Sequence, residues 1–274
     1  MNYILRRKGM GDVSMPIAAG IADVKIFVNK QDLLPPTDGY VFRWGTIGTI
    51  PEGGKVVNQA KAIERVSDKR AFRLVLSDKG LSMPTYGKLE DYLLTDPQIA
   101  TDAVLLRPAT HSRSEDMFLC TALSEVVKAI REINGPYYIS KFIKKKNEYR
   151  VFVAQNRIVW MIKKHPKSEN DLTWGCVEEG NFEYIGWSDW PKELARVALE
   201  SMKLSGLDFG AIDIIEDKDG NFYTLEINTA PWLSPYYAKC FGKVVKHVIA
   251  NGKDHFADPE SYDWKKIIHP AIGG

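Results

Sequence analysis

Cysteine is scarce in this sequence: three residues, Cys120, Cys176 and Cys240, far apart along the chain. An odd, dispersed set makes neither a disulfide framework nor the paired spacing of a structural zinc site. Free thiols in a reducing cytosol are expected. Long apolar runs are missing too. No stretch approaches the roughly 18 residues of a membrane span, and the opening MNYILRRKGMGD lacks the apolar core of a signal peptide. A cytoplasmic location with no membrane partner is expected. Neither sign of charge dominates. The 37 Lys and Arg against 35 Asp and Glu leave a net +2, which makes no compositional case for nucleic acid. The basic run 141–146 is six residues long, and Lys144, Lys145 and Lys146 read as a solvated turn. There is no internal repeat and no low-complexity segment. What remains is an ordinary globular composition, 45% hydrophobic over 274 residues, enough for one large domain or two modest ones.

The pattern alternates between helices and strand pairs. Residues 23–29 and 39–44 read as short buried strands separated by turn-forming Pro and Asp-Gly. Helical spacing runs from Asn58 to about Lys79, broken or capped at Ser67-Asp68. A helix is expected near 88–94, strands at 103–107 and 116–121, and an amphipathic helix over 122–133. Three strands follow, 137–143, 148–154 and 157–164, with Gln155-Asn156 as a hairpin turn. Residues 166–189 read as irregular. Pro191 starts a helix that stops at Ser205-Gly206. Strands 209–215 and 222–228 flank Asp217-Lys218-Asp219-Gly220, and a last helix covers 235–250. The polar tail is expected to wrap the surface. This mixture predicts an α+β chain rather than a doubly wound sheet.

The segment FGAIDIIEDKDGNFYTLEINTAPWL, residues 209–233, concentrates the chemistry. With a loop of two or four residues, Asp213 lies opposite Thr224 and diagonal to Glu226. Asp213, Glu226 and Asn228 then share one face, because side chains alternate along a strand. A three-residue loop without a bulge breaks that alignment. Two carboxylates and an amide oxygen are hard ligands suited to Mg²⁺. A solvated acidic strand face is the alternative that the hairpin alone leaves open.

These residues resemble the metal-binding end of the ATP-grasp superfamily, where a G-x-D-x-x-x-x-D pattern precedes E-x-N-x-x-P. The similarity extends over roughly residues 66–245 and is nearest in style to the ribosomal-protein glutamate ligases and to ATP-grasp proteins of phages and spore coats. It implies an ATP-grasp fold, two α+β subdomains clasping ATP, after a small α/β N-terminal domain. The expected bounds are 1–66, 67–251 and a tail 252–274. It implies two Mg²⁺ ions on Asp213, Glu226 and Asn228. SDKRAFRLVLSDKGLSMPT (67–85) resembles the helix with a nucleotide-contacting lysine, here Lys69. AVLLRP (103–108) resembles the strand with a second phosphate cation, where Arg107 replaces the usual lysine. YYISKFI resembles the hinge strand, so backbone at Lys141, Phe142 and Ile143 is expected to bind the adenine edge. By the same resemblance Glu148 holds the ribose, Arg150 contacts the transferred phosphate, and Lys163 is a further phosphate contact.

Glycine is missing where the family uses it. The loop THSRSEDM (110–117) has none, so either His111, Ser112 and Arg113 reach phosphate through side chains, or the loop orders only over nucleotide. The implied activity is carboxylate–amine ligation through an acyl-phosphate, on a small-molecule or peptide carboxylate and an amine. An ATP-grasp kinase and a non-catalytic nucleotide binder are the alternatives.

Overall fold

The computed structural model describes residues 1–29, 34–50, 52–95, 103–109, 117–166, 172, 174, 182–186 and 189–253. The chain opens with β1 (Tyr3–Arg6), α1 (Ser14–Ala22), β2 (Lys25–Val28), β3 (Tyr40–Trp44) and β4 (Lys55–Val57). These strands form a parallel sheet in the order β2-β1-β3-β4. Next come α2 (Ala60–Ser67) and α3 (Lys69–Asp78). The expected break between them is real: the Asp68 carboxylate caps α3 by accepting from the Ala71 N–H at 3.0 Å.

A second sheet, β5-β8-β6-β7, is antiparallel. It is built from β5 (Thr85–Tyr86), β6 (Val104–Pro108), β7 (Phe118–Cys120) and β8 (Tyr137–Lys141), with α4 (Leu89–Thr95) and α5 (Leu123–Glu132) on one face. The third sheet carries β9 (Asn147–Ala154), β10 (Arg157–Lys164), β11 (Phe182–Tyr184), β12 (Phe209–Glu216) and β13 (Phe222–Asn228) in the order β11-β10-β9-β12-β13. Gln155 and Asn156 both have positive φ, 51° and 60°. That is the backbone a two-residue type I′ hairpin needs.

α6 (Lys192–Ser205) and α7 (Pro235–Asn251) cover opposite faces of the third sheet. α6 ends where Gly206 turns left-handed. On its side Val151, Val153, Met161, Ile212 and Ile214 meet α2, α3 and α6. On the other side Phe152, Trp160 and Phe209 meet α7 and α1. Trp160 stacks on Phe152 at 4.0 Å and on Tyr237 at 4.8 Å. Trp44 stacks on Phe209 and leans on Phe241, so aromatic contacts tie the first sheet to the third. The α7 side of the third sheet is apolar over one half only. Its other half is charged.

Candidate active site

β9, β12 and β13 set Arg150 opposite Asp213, Asp213 opposite Glu226, and Ala211 opposite Asn228. The alignment is reached differently from the sequence expectation. The loop between paired Glu216 and Phe222 has five residues, held by Asp217. Its carboxylate accepts from the backbone N–H of Asp219 and Asn221, from Asn221 Nδ2 and from the Tyr223 hydroxyl. An odd loop would put Asp213 opposite Leu225 and turn Glu226 to the far face. A β-bulge prevents this. The ladder runs 216/222, 215/223, 214/224, then 213/226, 212/227, 211/228, with Leu225 as the extra residue. Thr224 therefore pairs with Ile214, and Glu226 is directly opposite Asp213 rather than diagonal.

The charges around this face are tightly interlocked. Arg150 donates to Asp213 through Nε at 2.7 Å and Nη2 at 2.9 Å. Lys164 Nζ lies 2.7 Å from Glu148 and 3.3 Å from Asp213. Lys145 Nζ reaches the other Glu148 oxygen at 2.5 Å. Lys69 Nζ donates to Glu226 at 2.7 Å. Asn228 Nδ2 stands 3.4 Å from Asp213 and 3.3 Å from Glu226. Burial alone would raise the Asp213 carboxyl, but the charges and hydrogen bonds of Arg150 and Lys164 outweigh it and hold the group well below the usual range. Burial likewise opposes the charge on Arg150, and Asp213 more than offsets it, so its pKa is raised. Among the described residues no cluster of three His, Cys, Asp or Glu forms. The candidate metal set is two carboxylates completed by an amide.

Several expected positions change. Glu148 does not present a free carboxylate to a ribose: it is buried between Lys145 and Lys164. Lys145 is accordingly part of this face, not a solvated turn. Lys163 is opposite Tyr149, on the α6 side of the sheet, and does not reach the charged face. The two-residue turn would bring Lys163 opposite Glu148, but a register irregularity between Ile158 and Trp160 moves Lys164 there instead. At the hinge, the N–H groups of Lys141 and Phe142 already donate to Pro84 and Ala103 carbonyls. Arg107 leaves β6 on the face away from the α4/α5 core, beside Tyr138. His111, Ser112 and Arg113 lie outside the described residues. Sequence reasoning missed Lys164 and Arg73. The irregularity between Ile158 and Trp160 in the β9/β10 ladder hid Lys164, and Arg73 reads as an ordinary helix position.

The RimK-like ATP-grasp domain model matches residues 87–249. The chain belongs to the RimK-like ATP-grasp family. A probable alpha-L-glutamate ligase of Vibrio vulnificus (strain YJ016) is 24% identical over 192 residues, 66% of this chain and 61% of that protein. The chain thus spans about three-fifths of the length of this relative. A second protein of that description, from Thioalkalivibrio sulfidiphilus, is 25% identical over 211 residues, 73% of this chain and 68% of its own length. Solved structures share the fold. The ATP-grasp ligase PsnB, complexed with minimal precursor, Mg and ADP, superposes with TM-score 0.64 at 12% identity, covering 91% of this chain and 96% of its own. D-alanine–D-alanine ligase of Bacillus anthracis, complexed with ATP, gives 0.57 at 15% identity over 84% and 86%. No helix among the described residues of this RimK-like chain is long and apolar enough to cross a membrane.

Proposed function

We propose that this chain is an ATP-dependent carboxylate–amine ligase that works through an acyl-phosphate. The observation that carries the reading is the direct pairing of Asp213 with Glu226, beside Asn228, inside a ring of cations. Two carboxylates and an amide suit Mg²⁺, and the pair of ions expected from the family would be held there. When bound, Mg²⁺ neutralises phosphate charge. Lys69, Arg150 and Lys164 are poised to exchange their carboxylate partners for phosphate oxygens. Arg107 supplies a further cation from the second sheet. With two hinge N–H groups committed, the adenine edge would be read by the remaining backbone at Lys141, Phe142 and Ile143.

The chemistry balances without a redox step. A substrate carboxylate oxygen bonds to the γ-phosphorus as the bond to ADP breaks. An amine nitrogen then bonds to the acyl carbon, phosphate leaves, and the amine gives up a proton. Arg150, set on this face by its two bonds to Asp213 and exchanging them for phosphate oxygens, would stabilise the transferring phosphoryl group. The relatives' names make L-glutamate the first amine to try, with peptides bearing a free C-terminal carboxylate as partners. The test is ADP release. It should require both carboxylate and amine and vanish in Glu226→Gln with the fold intact. A stable phosphorylated product without amine would favour a kinase. Full activity in Glu226→Gln would sink the metal assignment.

A further inference from the structure

The bulge at Leu225 is what brings Glu226 into line with Asp213, so whatever holds the bulge sets the candidate metal face. Among the described residues, three contacts to its backbone come from α3 and the turn after it, while the Thr224 hydroxyl bonds Ser201 Oγ of α6 at 2.8 Å. The Thr224 N–H donates to the Leu81 carbonyl at 2.8 Å, and the Thr224 carbonyl accepts from Ser82 Oγ at 2.8 Å. The Leu225 carbonyl accepts from Arg73 Nη2. Arg73 is a charged residue on the inner face of α3 and is only 7% exposed. Its Nη1 donates to Met83 Sδ at 2.9 Å, and its guanidinium lies 5.8 Å from the centre of the Tyr138 ring. Tyr138 belongs to β8, where it pairs with Arg107 of β6. One planar side chain therefore joins the second sheet to the bulge of the third. A lysine cannot do this, because a point charge has neither the fork nor the stacking face. Among the described residues no carboxylate pairs directly with Arg73, and Glu226 acts on it only through its charge; a buried cation so placed is costly, and an apolar residue would fill a helix core position at less expense.

We propose that Arg73 is a positioning residue that clamps the Leu225 bulge and thereby keeps Glu226 opposite Asp213 for metal–nucleotide binding. It is not itself a ligand of metal or nucleotide. It acts through the carbonyl of Leu225 and the register of β13. The proposal rests on the nucleotide–metal reading above.

The experiment uses the full chain, Mn²⁺ as the metal probe and AMP-PNP as a non-hydrolysed ATP analogue. Mn²⁺ binding at saturating analogue is followed by electron paramagnetic resonance, and metal-free analogue binding by calorimetry. Arg73→Met should weaken Mn²⁺ binding at least tenfold while changing metal-free nucleotide affinity less than threefold. Arg73→Lys should fall between, and stands in if Arg73→Met does not fold. The decisive partner is a chain with Leu225 deleted. Removing the bulge residue lets a regular ladder run from 214/224 to 213/226, so Glu226 faces Asp213 with no clamp. In that background Arg73→Met, or Arg73→Lys in its place, should recover Mn²⁺ binding to within threefold of the deletion alone. A merely structural arginine would move both affinities together and would not be rescued. Either of those results, or unchanged Mn²⁺ affinity in the substituted chain, overturns the proposal and leaves the ligase reading standing. A wild-type chain that binds no Mn²⁺ with the analogue overturns both.

Discussion

Lys164 and Glu148 stand opposite each other on β10 and β9, with Nζ and Oε1 2.7 Å apart, because one register irregularity carries β10 past the pairing its hairpin turn would set. Its neighbour Lys163 is thereby sent to the other side of the sheet. The two adjacent lysines give a clean contrast. Lys164→Met should lower ATP-dependent ADP release by at least a hundredfold, since it strips a buried cation from Asp213 and Glu148. Lys163→Met should change it less than threefold. The check is a coupled ADP assay on both variants, with thermal melts to show that each folds. Equal losses would mean that the face assignment is wrong.

Asp213 and Glu226 are already paired with cations, Asp213 with Arg150 and Lys164 and Glu226 with Lys69. A lone divalent ion must displace these partners without offering them another anion. Magnesium arriving with a triphosphate gives them phosphate oxygens in exchange. Mg²⁺ alone should therefore bind in the millimolar range or weaker, and at least a hundredfold more tightly once nucleotide is present. Calorimetric titration with and without AMP-PNP reads the difference. Tight binding of Mg²⁺ to the free protein would show that the ion pairs do not guard the carboxylates.

The same pairs make stability depend on acid. The folded-state pKa of Asp213 is lowered, so its contribution is present above the unfolded value of about 3.9 and is lost as pH falls from there toward the lower folded value. Asp213→Asn leaves Arg150 and Lys164 without their carboxylate and should cost ~3 kcal/mol at pH 7. The gap between the variant and the parent should narrow below about pH 4. Urea unfolding at pH 7 and pH 3 tests it, and a gap that widens in acid would contradict the pairing.

The sequence showed the site's residue types and hid its registers. Asp213, Glu226 and Asn228 are legible because polar ligands interrupt strands whose other positions are mostly apolar or aromatic. Their shared face was reached by the wrong arithmetic. The Asp217 side chain builds a five-residue loop, and Leu225 then restores the parity that the loop removes. Neither residue advertises this in sequence. The resemblance points to Lys163, and the slip between Ile158 and Trp160 that sets Lys164 on the charged face instead leaves no mark in sequence. The helices at 60–78, 192–205 and 235–251 were readable from caps, Gly206 and apolar spacing. β1, α1, β4, β5 and β11 were not, because two- to four-residue strands carry no period and α1, mostly small and apolar residues, has almost no polar face to contrast with its buried one.

Asn58 is a further residue whose weight no local pattern announces. It is fully buried with φ at 67°, a left-handed conformation that Asn tolerates better than most residues. Its side-chain oxygen accepts from the Asp208 and Phe209 N–H groups at 2.8 and 3.1 Å, and its amide donates to the Phe209 carbonyl at 3.0 Å. Its own N–H donates to the Asp208 carboxylate at 2.6 Å. The link between β4 and α2 is thus bonded to the start of β12, the strand that carries Asp213. Asn58→Ala strands buried backbone groups, each costing ~1–3 kcal/mol, and strains a positive φ. Asn58→Gly relieves the strain and keeps the loss. Alanine should destabilise the fold by ~3–4 kcal/mol in urea unfolding, with glycine milder by ~1 kcal/mol. Equal costs would show that the hydrogen bonds alone matter at this corner, and a cost under ~1 kcal/mol for either would show that the corner does not anchor β12.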